Sequence, residues 1–273
     1  MSIAGGAGAL AARFAALAAH GHAALAPFVT AGDPDLDATV SVLEALDRAG
    51  ADLCELGVPY SDPIADGPVI QAAYTRALAA GFTLKKFFAM VARATGRVRM
   101  PILAMVSYSI IFRRGVDRFV ADAAAAGLAG LVVPDLPLEE SAPLDGACRA
   151  AHLALVRLVT PTTPPQRAEA IARQSTGFVY CVSVAGVTGA RAALPSGLAE
   201  RVAWLRTVSR VPVLVGFGIG ETEQVRALAD VADGAIVGSA LVHRIAELAP
   251  QGRAALVSGV EAYVAPLVRA ARS

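Results

Sequence analysis

Eight short and almost uninterrupted apolar segments alternate along this chain with segments of helical character, and this alternation restricts the possible folds. Strands that are apolar along their whole length are typical of a parallel sheet covered by helices on both faces. The predicted strands are 25–31, 51–57, 101–108, 130–135, 153–159, 177–183, 211–218 and 233–239. The predicted helices include 36–49, 115–127, 139–151, 164–175, 197–209, 222–231 and 252–271.

Eight strand–helix units in 273 residues predict an α/β protein with a single (β/α)8 TIM barrel domain over residues 1–273. The alternative is a doubly wound open sheet, but eight parallel strands without a change of pattern fit a closed barrel better. Leu10, Phe14 and Leu17 share one face of a helix, which predicts a short extra helix before the first strand. No linker or low-complexity segment indicates a second domain.

Composition and charge restrict the partners and the compartment. The net charge is +1, with 24 basic and 23 acidic residues that do not cluster, so we expect no nucleic-acid or membrane partner. The three cysteines and four histidines lack the spacing of a disulfide framework or a metal site. The N-terminus lacks a signal-peptide pattern and no apolar segment approaches the length of a membrane span, so we expect a cytoplasmic protein.

Two glycine-rich segments follow the last two predicted strands. GFGIG covers residues 216–220 and VGSALV covers 237–242, where Ser239 precedes a predicted helix. Backbone N–H groups of glycine loops and of helix N-termini bind anions, and the loops after strands seven and eight often bind phosphate in such barrels. Either segment alone could be an ordinary turn. Their tandem order favours a phosphate site.

The segment from Ser183 to Leu194 follows the sixth predicted strand and contains Thr188 and Gly189. It is long for a connection from strand to helix, which commonly takes about 2–6 residues. We therefore expect a mobile loop that closes over a bound phosphate and excludes water. An ordinary flexible connection is the alternative.

Three acidic residues lie at or just after the second predicted strand, in ELGVPYSDPIADGP (55–68). Glu55 belongs to the strand, and side-chain alternation allows it to point into the barrel mouth, where burial would raise its pKa. A carboxyl group with a pKa near neutrality suits general acid–base catalysis. Asp62 is better explained as a turn residue. For Asp66 a turn role and a functional role are equally compatible with the spacing.

The extended segment ELGVPYSDPIADGPVIQ (55–71) resembles the signature of the tryptophan synthase α subunit family. The likeness covers nearly the whole chain. Five further motifs resemble the family in the same order: PFVTAGDP (27–34), VVPDLPLEES (132–141), VSVAGVTGAR (182–191), GFGI (216–219) and VGSA (237–240). The resemblance implies a retro-aldol cleavage of indole-3-glycerol phosphate to indole and glyceraldehyde 3-phosphate, without a cofactor.

The resemblance also implies residue roles. Glu55 matches the family's general acid–base, and Asp66 matches the carboxylate that accepts a hydrogen bond from the indole N–H. Thr188 matches a loop residue that orders Asp66 on closure. The implied phosphate contacts are Gly189, Gly218, Gly238 and Ser239. The implied indole pocket comprises Phe28, Ile70, Tyr180, Phe217 and Ile236, each of which could otherwise be an ordinary core residue.

The family further implies a β subunit as partner, in an αββα heterotetramer. One segment departs from the family pattern: Ser107-Tyr108-Ser109-Ile110 stands where relatives carry Tyr, a variable residue and Asn-Pro. In relatives that loop packs near the substrate and faces the β subunit. We therefore expect the departure to affect docking of the β subunit and indole transfer rather than catalysis, since neither acid is changed. The chain keeps Asp62 and Asp135-Leu136-Pro137, which match other family positions on the side that contacts the β subunit. Their presence favours the complex.

Three alternatives remain open at the level of the sequence. The first is another phosphate-sugar barrel enzyme that uses a lysine or different paired acids, although Lys85 and Lys86, the only lysines, lie in a predicted helix outside the barrel mouth. The second is a non-catalytic regulatory subunit, against which Glu55 and Asp66 argue. The third is a stand-alone lyase that releases free indole, which the altered loop keeps open.

Overall fold

The structure is a computed structural model that describes residues 6–63, 66–183, 196–216 and 218–273. Eight parallel strands close into a barrel in sequence order, because each strand pairs with the next and the eighth pairs with the first. The strands are β1 (Ala24–Thr30), β2 (Cys54–Gly57), β3 (Ile102–Met105), β4 (Gly130–Val132), β5 (Ala154–Val159), β6 (Val179–Val182), β7 (Val213–Gly216) and β8 (Gly234–Val237). The predicted barrel is confirmed, with most strands shorter than predicted.

Twelve α-helices lie within these described ranges. They are α1 (Gly6–Ala19), α2 (Leu36–Ala49), α3 (Pro68–Ala79), α4 (Leu84–Thr95), α5 (Tyr108–Arg114), α6 (Val116–Ala125), α7 (Ala142–Ala150), α8 (Pro165–Gln174), α9 (Leu198–Val208), α10 (Thr222–Ala229), α11 (Ser239–Leu248) and α12 (Arg253–Ala270). The prediction for α2 has the observed bounds. The prediction of a strand up to residue 108 is wrong, because Ser107 caps the start of α5 by accepting a hydrogen bond from the Ser109 N–H.

Alternate residues of each strand face opposite sides of the barrel wall, as the side-chain period of two requires. In β2, Cys54 and Leu56 pack in the layer between the strands and the helices. Leu53, just before the strand, packs inside the barrel. Glu55 therefore points into the barrel.

The predicted extra N-terminal helix is α1, and it covers the end of the barrel where the strands begin. Its buried residues Leu10, Phe14 and Leu17 belong to the interior cluster. The rings of Phe14 and Phe178 meet edge to face with centroids 6.1 Å apart. One end of the barrel is thereby filled with apolar side chains, which leaves the carboxyl ends of the strands for a ligand. In the part of the chain that the structure describes, no helix is long and apolar enough to cross a membrane.

Candidate active site

Glu55 is a fully buried carboxyl group. It lies in β2 directly across the ladder from Phe28 of β1 and from Leu103 of β3. Its exposed fraction is 0%, and neither carboxylate oxygen makes a hydrogen bond to any described residue. Burial raises its pKa to about 8. Glu55 is therefore protonated at neutral pH and able to give up its proton.

Asp66 is a second acid near a cavity, and its side chain makes no hydrogen bond to a described residue. It lies two residues before α3, and Gly67, rather than Asp66, occupies the N-cap position of that helix. Gln71 of α3 fixes the loop by donating from Nε2 to the carbonyl oxygens of Asp66, at 2.8 Å, and Pro63, at 3.1 Å. Burial raises the pKa of Asp66 to about 6. Asp66 is therefore mostly ionised at neutral pH.

A cavity of about 350 Å³ opens at the carboxyl ends of the strands, a size within the range of small-ligand sites. The structure brings together in its lining seven of the residues singled out in the sequence: Phe28, Asp66, Ile70, Tyr180, Gly218, Gly238 and Ser239. Glu55 and Ile236 are not among the lining residues. Ile236 packs in the barrel interior, and Glu55 lies behind the lining, next to Phe28.

Two aromatic rings of the lining pack against glycines that leave room for them. A Cβ atom on Gly57 would lie 2.4 Å from Cζ of Phe28, and a Cβ atom on Gly216 would lie 2.4 Å from the hydroxyl oxygen of Tyr180. Burial raises the pKa of Tyr180, and the nearby charges of Glu55 and Asp66 raise it further. Tyr180 therefore lies close to both acids. The apolar walls and the two acids thus belong to one site.

The opposite end of the cavity is built from backbone. Gly218 has a φ of +78°, which favours glycine, and Gly238 precedes Ser239 at the start of α11. The first N–H groups of a helix have no carbonyl partner within it and carry the positive end of its dipole. The arrangement suits a phosphate group, as the tandem glycine segments predict.

Three predicted site residues, Thr188, Gly189 and Phe217, lie outside the described residues, as does the predicted closing loop except for Ser183. Their roles stay predictions.

A second and larger cavity, of about 1110 Å³, lies beside the first, and we call it the outer cavity. Its lining includes Tyr60, Asp62, Phe82, Ser109, Arg113 and Asp135. Asp62 therefore faces a different cavity from Asp66. Tyr60 lines the outer cavity and also packs against the cluster that contains Phe28, which lines the first cavity.

The segment that departs from the family pattern borders the outer cavity and is well fixed. Asp135 accepts hydrogen bonds from the Ser107 hydroxyl at 2.6 Å and from the Tyr108 N–H at 2.8 Å. The hydroxyl oxygens of Ser107 and Ser109 are 2.7 Å apart. Nearby, Phe112 of α5 has an exposed fraction of 71%, unusually large for a phenylalanine. The altered sequence therefore builds an ordered helix start beside an exposed aromatic ring.

Sequence reasoning missed several residues of the candidate active site. Met105, Val69, Glu221 and His243 also line the 350 Å³ cavity. Met105 could have been found from the alternation in β3, whereas His243 lies one turn into α11 and gives no signal in sequence. Within the described ranges, no group of three or more His, Cys, Asp or Glu side chains is placed to hold a metal ion.

Comparison with known proteins gives a consistent result. Residues 14–271 match the protein family described as tryptophan synthase alpha chain. The tryptophan synthase alpha chain of Picosynechococcus sp. is 53% identical over 246 residues, which cover 89% of this chain and 93% of that relative. The alpha chain of Rhodopirellula baltica is 51% identical over 237 residues, covering 86% of this chain and 85% of that relative.

Solved structures agree in fold over almost the full length. A chain of tryptophan synthase from Mycobacterium tuberculosis superposes with a TM-score of 0.88 at 37% identity and covers 97% of this chain and 98% of its own. The alpha subunit of tryptophan synthase from Legionella pneumophila superposes with a TM-score of 0.87 at 32% identity, with coverage of 96% and 97%.

Proposed function

The chain belongs to the tryptophan synthase alpha chain family, and we propose that Glu55 and Asp66 are its catalytic residues. The family is a lyase of tryptophan biosynthesis, which cleaves indole-3-glycerol phosphate to indole and glyceraldehyde 3-phosphate. What remains to be assigned is which side chains of this protein carry out the cleavage and how its partner binds.

The observation that carries the residue assignment is the separation of two carboxyl pKa values. Burial puts the pKa of Glu55 at about 8 and that of Asp66 at about 6. Near pH 7 the first acid is protonated and the second is ionised. The acid that stays protonated can donate a proton, and the acid that stays ionised can stabilise a positive charge.

Glu55 then acts as a general acid and afterwards as a general base. Its proton goes to carbon 3 of the indole ring, which leaves a cationic indolenine. The bond between carbon 3 and the first side-chain carbon breaks, and its electron pair returns to the ring to give indole. The hydroxyl on that side-chain carbon becomes the aldehyde carbonyl, and its proton returns to the Glu55 carboxylate. The residue ends in its starting state, so no other reagent is needed.

Asp66 supports the same step through its charge. An ionised carboxylate that accepts a hydrogen bond from the indole N–H stabilises the positive charge formed when carbon 3 is protonated. The apolar lining residues Phe28, Ile70 and Tyr180 hold the ring, and Gly218, Gly238 and Ser239 bind the phosphate at the other end. A ligand held at both ends has its reacting carbon placed near the acids.

Indole release by the purified protein tests the assignment. We expect Glu55→Gln and Asp66→Asn each to lower kcat by about a hundredfold or more, since general acid–base groups contribute on that scale. Glu140→Gln, at an exposed acid, is the matched control and should retain full activity. Substantial turnover by Glu55→Gln would remove this residue from the mechanism.

The family implies a β subunit as partner, and we propose that the outer cavity and Phe112 face it in an αββα heterotetramer. Support comes from the exposed Phe112 ring and from Arg113, which has no ion-pair or hydrogen-bond partner among the described residues. Exposed aromatic and arginine side chains are common anchors of protein interfaces. Light scattering on the mixed subunits should give the mass of two α and two β chains. A mixture that contains only separate subunits would favour a stand-alone lyase.

Domain organisation and location are further proposals. We propose that residues 1–273 form one domain, which is supported by the packing of the C-terminal helix α12 against α2 and of α1 against the barrel. A cytoplasmic location stays a prediction, and the three buried, unpaired cysteines fit a reducing compartment.

A further inference from the structure

The loop that carries Gly218 is held in place by one buried side chain, that of Gln224. Gln224 lies in the first turn of α10 with an exposed fraction of 5%. Its Oε1 accepts hydrogen bonds from the N–H groups of Gly220 and Glu221, both at 2.9 Å. Its Nε2 donates to the carbonyl oxygen of Gly218 at 3.2 Å. A single amide group thus binds the backbone of three loop residues.

A second side chain holds the same loop from another helix. The Tyr263 hydroxyl, on α12, donates to the carbonyl oxygen of Gly220 at 2.7 Å. Burial raises the pKa of Tyr263 to about 12, so this hydroxyl keeps its proton and remains a donor at any physiological pH. Both polar backbone groups of Gly220 are therefore bound by protein side chains.

The loop is also fixed relative to α11. A Cβ atom on Gly220 would lie 2.7 Å from the Cβ atom of Ala240, in the first turn of that helix. The glycine lets the loop touch the helix directly. Gly218 and Ser239 both line the cavity, and this contact together with the bonds of Gln224 and Tyr263 joins the loop of the first to the helix of the second.

We propose that Gln224 is a positioning residue for the phosphate group of the substrate. Tyr263 assists by binding the same loop through the Gly220 carbonyl. Gln224 does not line the cavity, so it acts through the loop rather than by touching the ligand. Its bonds engage the N–H groups of Gly220 and Glu221 and the Gly218 carbonyl. The Gly218 N–H, which makes no hydrogen bond to another described residue, is left to face the anion. A glycine-rich loop without this support would have to be ordered on binding, which lowers affinity.

The inference depends on the proposed phosphate site, and two ligands separate the two claims. The first is indole-3-propyl phosphate, an unreactive analogue that carries the phosphate. The second is indole-3-propanol, which has the same ring and chain without it. The ratio of their dissociation constants, measured by calorimetry, reports the contribution of the phosphate end alone. If the unaltered protein does not prefer the phosphate ester, the proposed phosphate site itself is wrong.

Gln224→Met tests the positioning role, because methionine has a similar length and fills the buried space without hydrogen bonds. We expect the preference for the phosphate ester to fall by about tenfold, while the affinity for the alcohol stays unchanged. With the natural substrate, KM should rise by a similar factor and kcat should change by less than about twofold, since Glu55 and Asp66 are untouched. Gln251→Met, the same change at an exposed glutamine, is the matched control.

Two results would overturn the proposal. An unchanged preference in Gln224→Met would show that the loop keeps its geometry without this side chain. An equal loss of affinity for both analogues would make Gln224 a general structural residue. If Gln224→Met fails to fold, Tyr263→Phe removes only the support, and it should lower the preference by a smaller factor of about threefold. A preference equal to that of the unaltered protein in Tyr263→Phe would then contradict the proposal.

Discussion

At the scale of single residues, the active site is built at the expense of stability. Both carboxylate oxygens of Glu55 are buried without a hydrogen bond to a described residue, an arrangement that costs free energy unless the group stays neutral. The folded protein keeps it neutral by raising its pKa from 4.5 to about 8. The same burial that destabilises the charged form makes the group a usable proton donor near pH 7.

The stability of the folded state should therefore depend on pH through Glu55. Between pH 4.5 and about 8 the unfolded chain releases this proton and the folded protein does not, so the free energy of unfolding falls as pH rises. Each unit of pKa shift corresponds to about 1.4 kcal/mol. Glu55→Gln cannot ionise, so we expect its melting temperature to exceed that of the unaltered protein by an amount that grows up to about pH 8.

Thermal unfolding at a series of pH values measures this difference. Near pH 4 the two proteins should unfold at similar temperatures, because Glu55 is then neutral in both states. Glu140→Gln makes the same substitution at an exposed acid, and it shows the effect of removing a carboxylate that is not buried. A difference between Glu55→Gln and the unaltered protein that stays constant from pH 4 to pH 8 would show that Glu55 is not buried as described.

At the scale of elements, the ends of the strands shape the pocket through glycine. Gly57 closes β2 and Gly216 closes β7, and each is covered by an aromatic ring from an adjacent strand. Strand register determines these contacts, since Phe28 lies two residues before Thr30, which pairs with Gly57. The glycines at these positions therefore serve the pocket as well as the turn that follows.

Gly57→Ala should damage the pocket more than the fold. The new Cβ atom would lie 2.4 Å from the Phe28 ring and 2.8 Å from the Tyr74 hydroxyl, so the ring must move. We expect KM for indole-3-glycerol phosphate to rise by about tenfold or more, measured by steady-state indole release.

The matched control for this change is Gly146→Ala in α7, where a Cβ atom would meet nothing within 4 Å. Alanine is the better helix former, so this variant should be more stable by about 0.5–1 kcal/mol with unchanged kinetics. Equal KM values for the two glycine variants would contradict the proposed role of Phe28 in the pocket.

At the scale of the whole molecule, closure of the barrel places two cavities side by side at the carboxyl ends of the strands. One is lined by the candidate catalytic and phosphate residues, and the outer cavity is lined by segments that follow β2, β3 and β4. Tyr60 stands between them, and its pKa is raised to about 12 by burial and by the charges of Asp66, Asp135 and Asp62. The candidate catalytic residue Asp66 and the proposed docking surface thus lie near the same tyrosine.

Phe112→Asp tests the proposed docking surface. A charge in place of an exposed anchor ring should weaken binding of the β subunit by about a hundredfold or more, because buried aromatic anchors dominate interface energies. The isolated protein should still cleave its substrate at the usual rate, since Phe112 lies outside the active-site lining. Affinity can be measured by biolayer interferometry with immobilised β subunit.

The control for the docking experiment is Ala254→Asp, which introduces the same charge at an exposed position in the first turn of α12. An acid is favourable at that end of a helix, so the fold should be unaffected. Unchanged β-subunit affinity in Phe112→Asp would exclude this part of the surface from the interface.

Much of the fold and of the candidate site could be predicted, because the sequence patterns that indicate them are local. The apolar periodicity predicted the barrel and α1, and the motif around Glu55 and Asp66 predicted the family. Other features needed the coordinates. The start of α5 was missed because Ser107 directly follows the apolar run of residues 101–106. Gln224 was missed because its partners are backbone groups, which are the same for every sequence. His243 comes to the cavity only through the position of α11 beside β1 and α3.

The sequence alone determined the number and order of the strand–helix units and the family, because each depends on residue type and spacing along the chain. Only the tertiary structure decided that Glu55 makes no hydrogen bond to a described residue, that burial separates its pKa from that of Asp66, and that Gln224 and Tyr263 both bind the loop of Gly218. The Gln224 bonds reach residues three to six positions away, whereas the burial of Glu55 and the bond from Tyr263 to Gly220 depend on segments far apart in sequence. Burial and hydrogen bonding across such distances exist only once the barrel has closed.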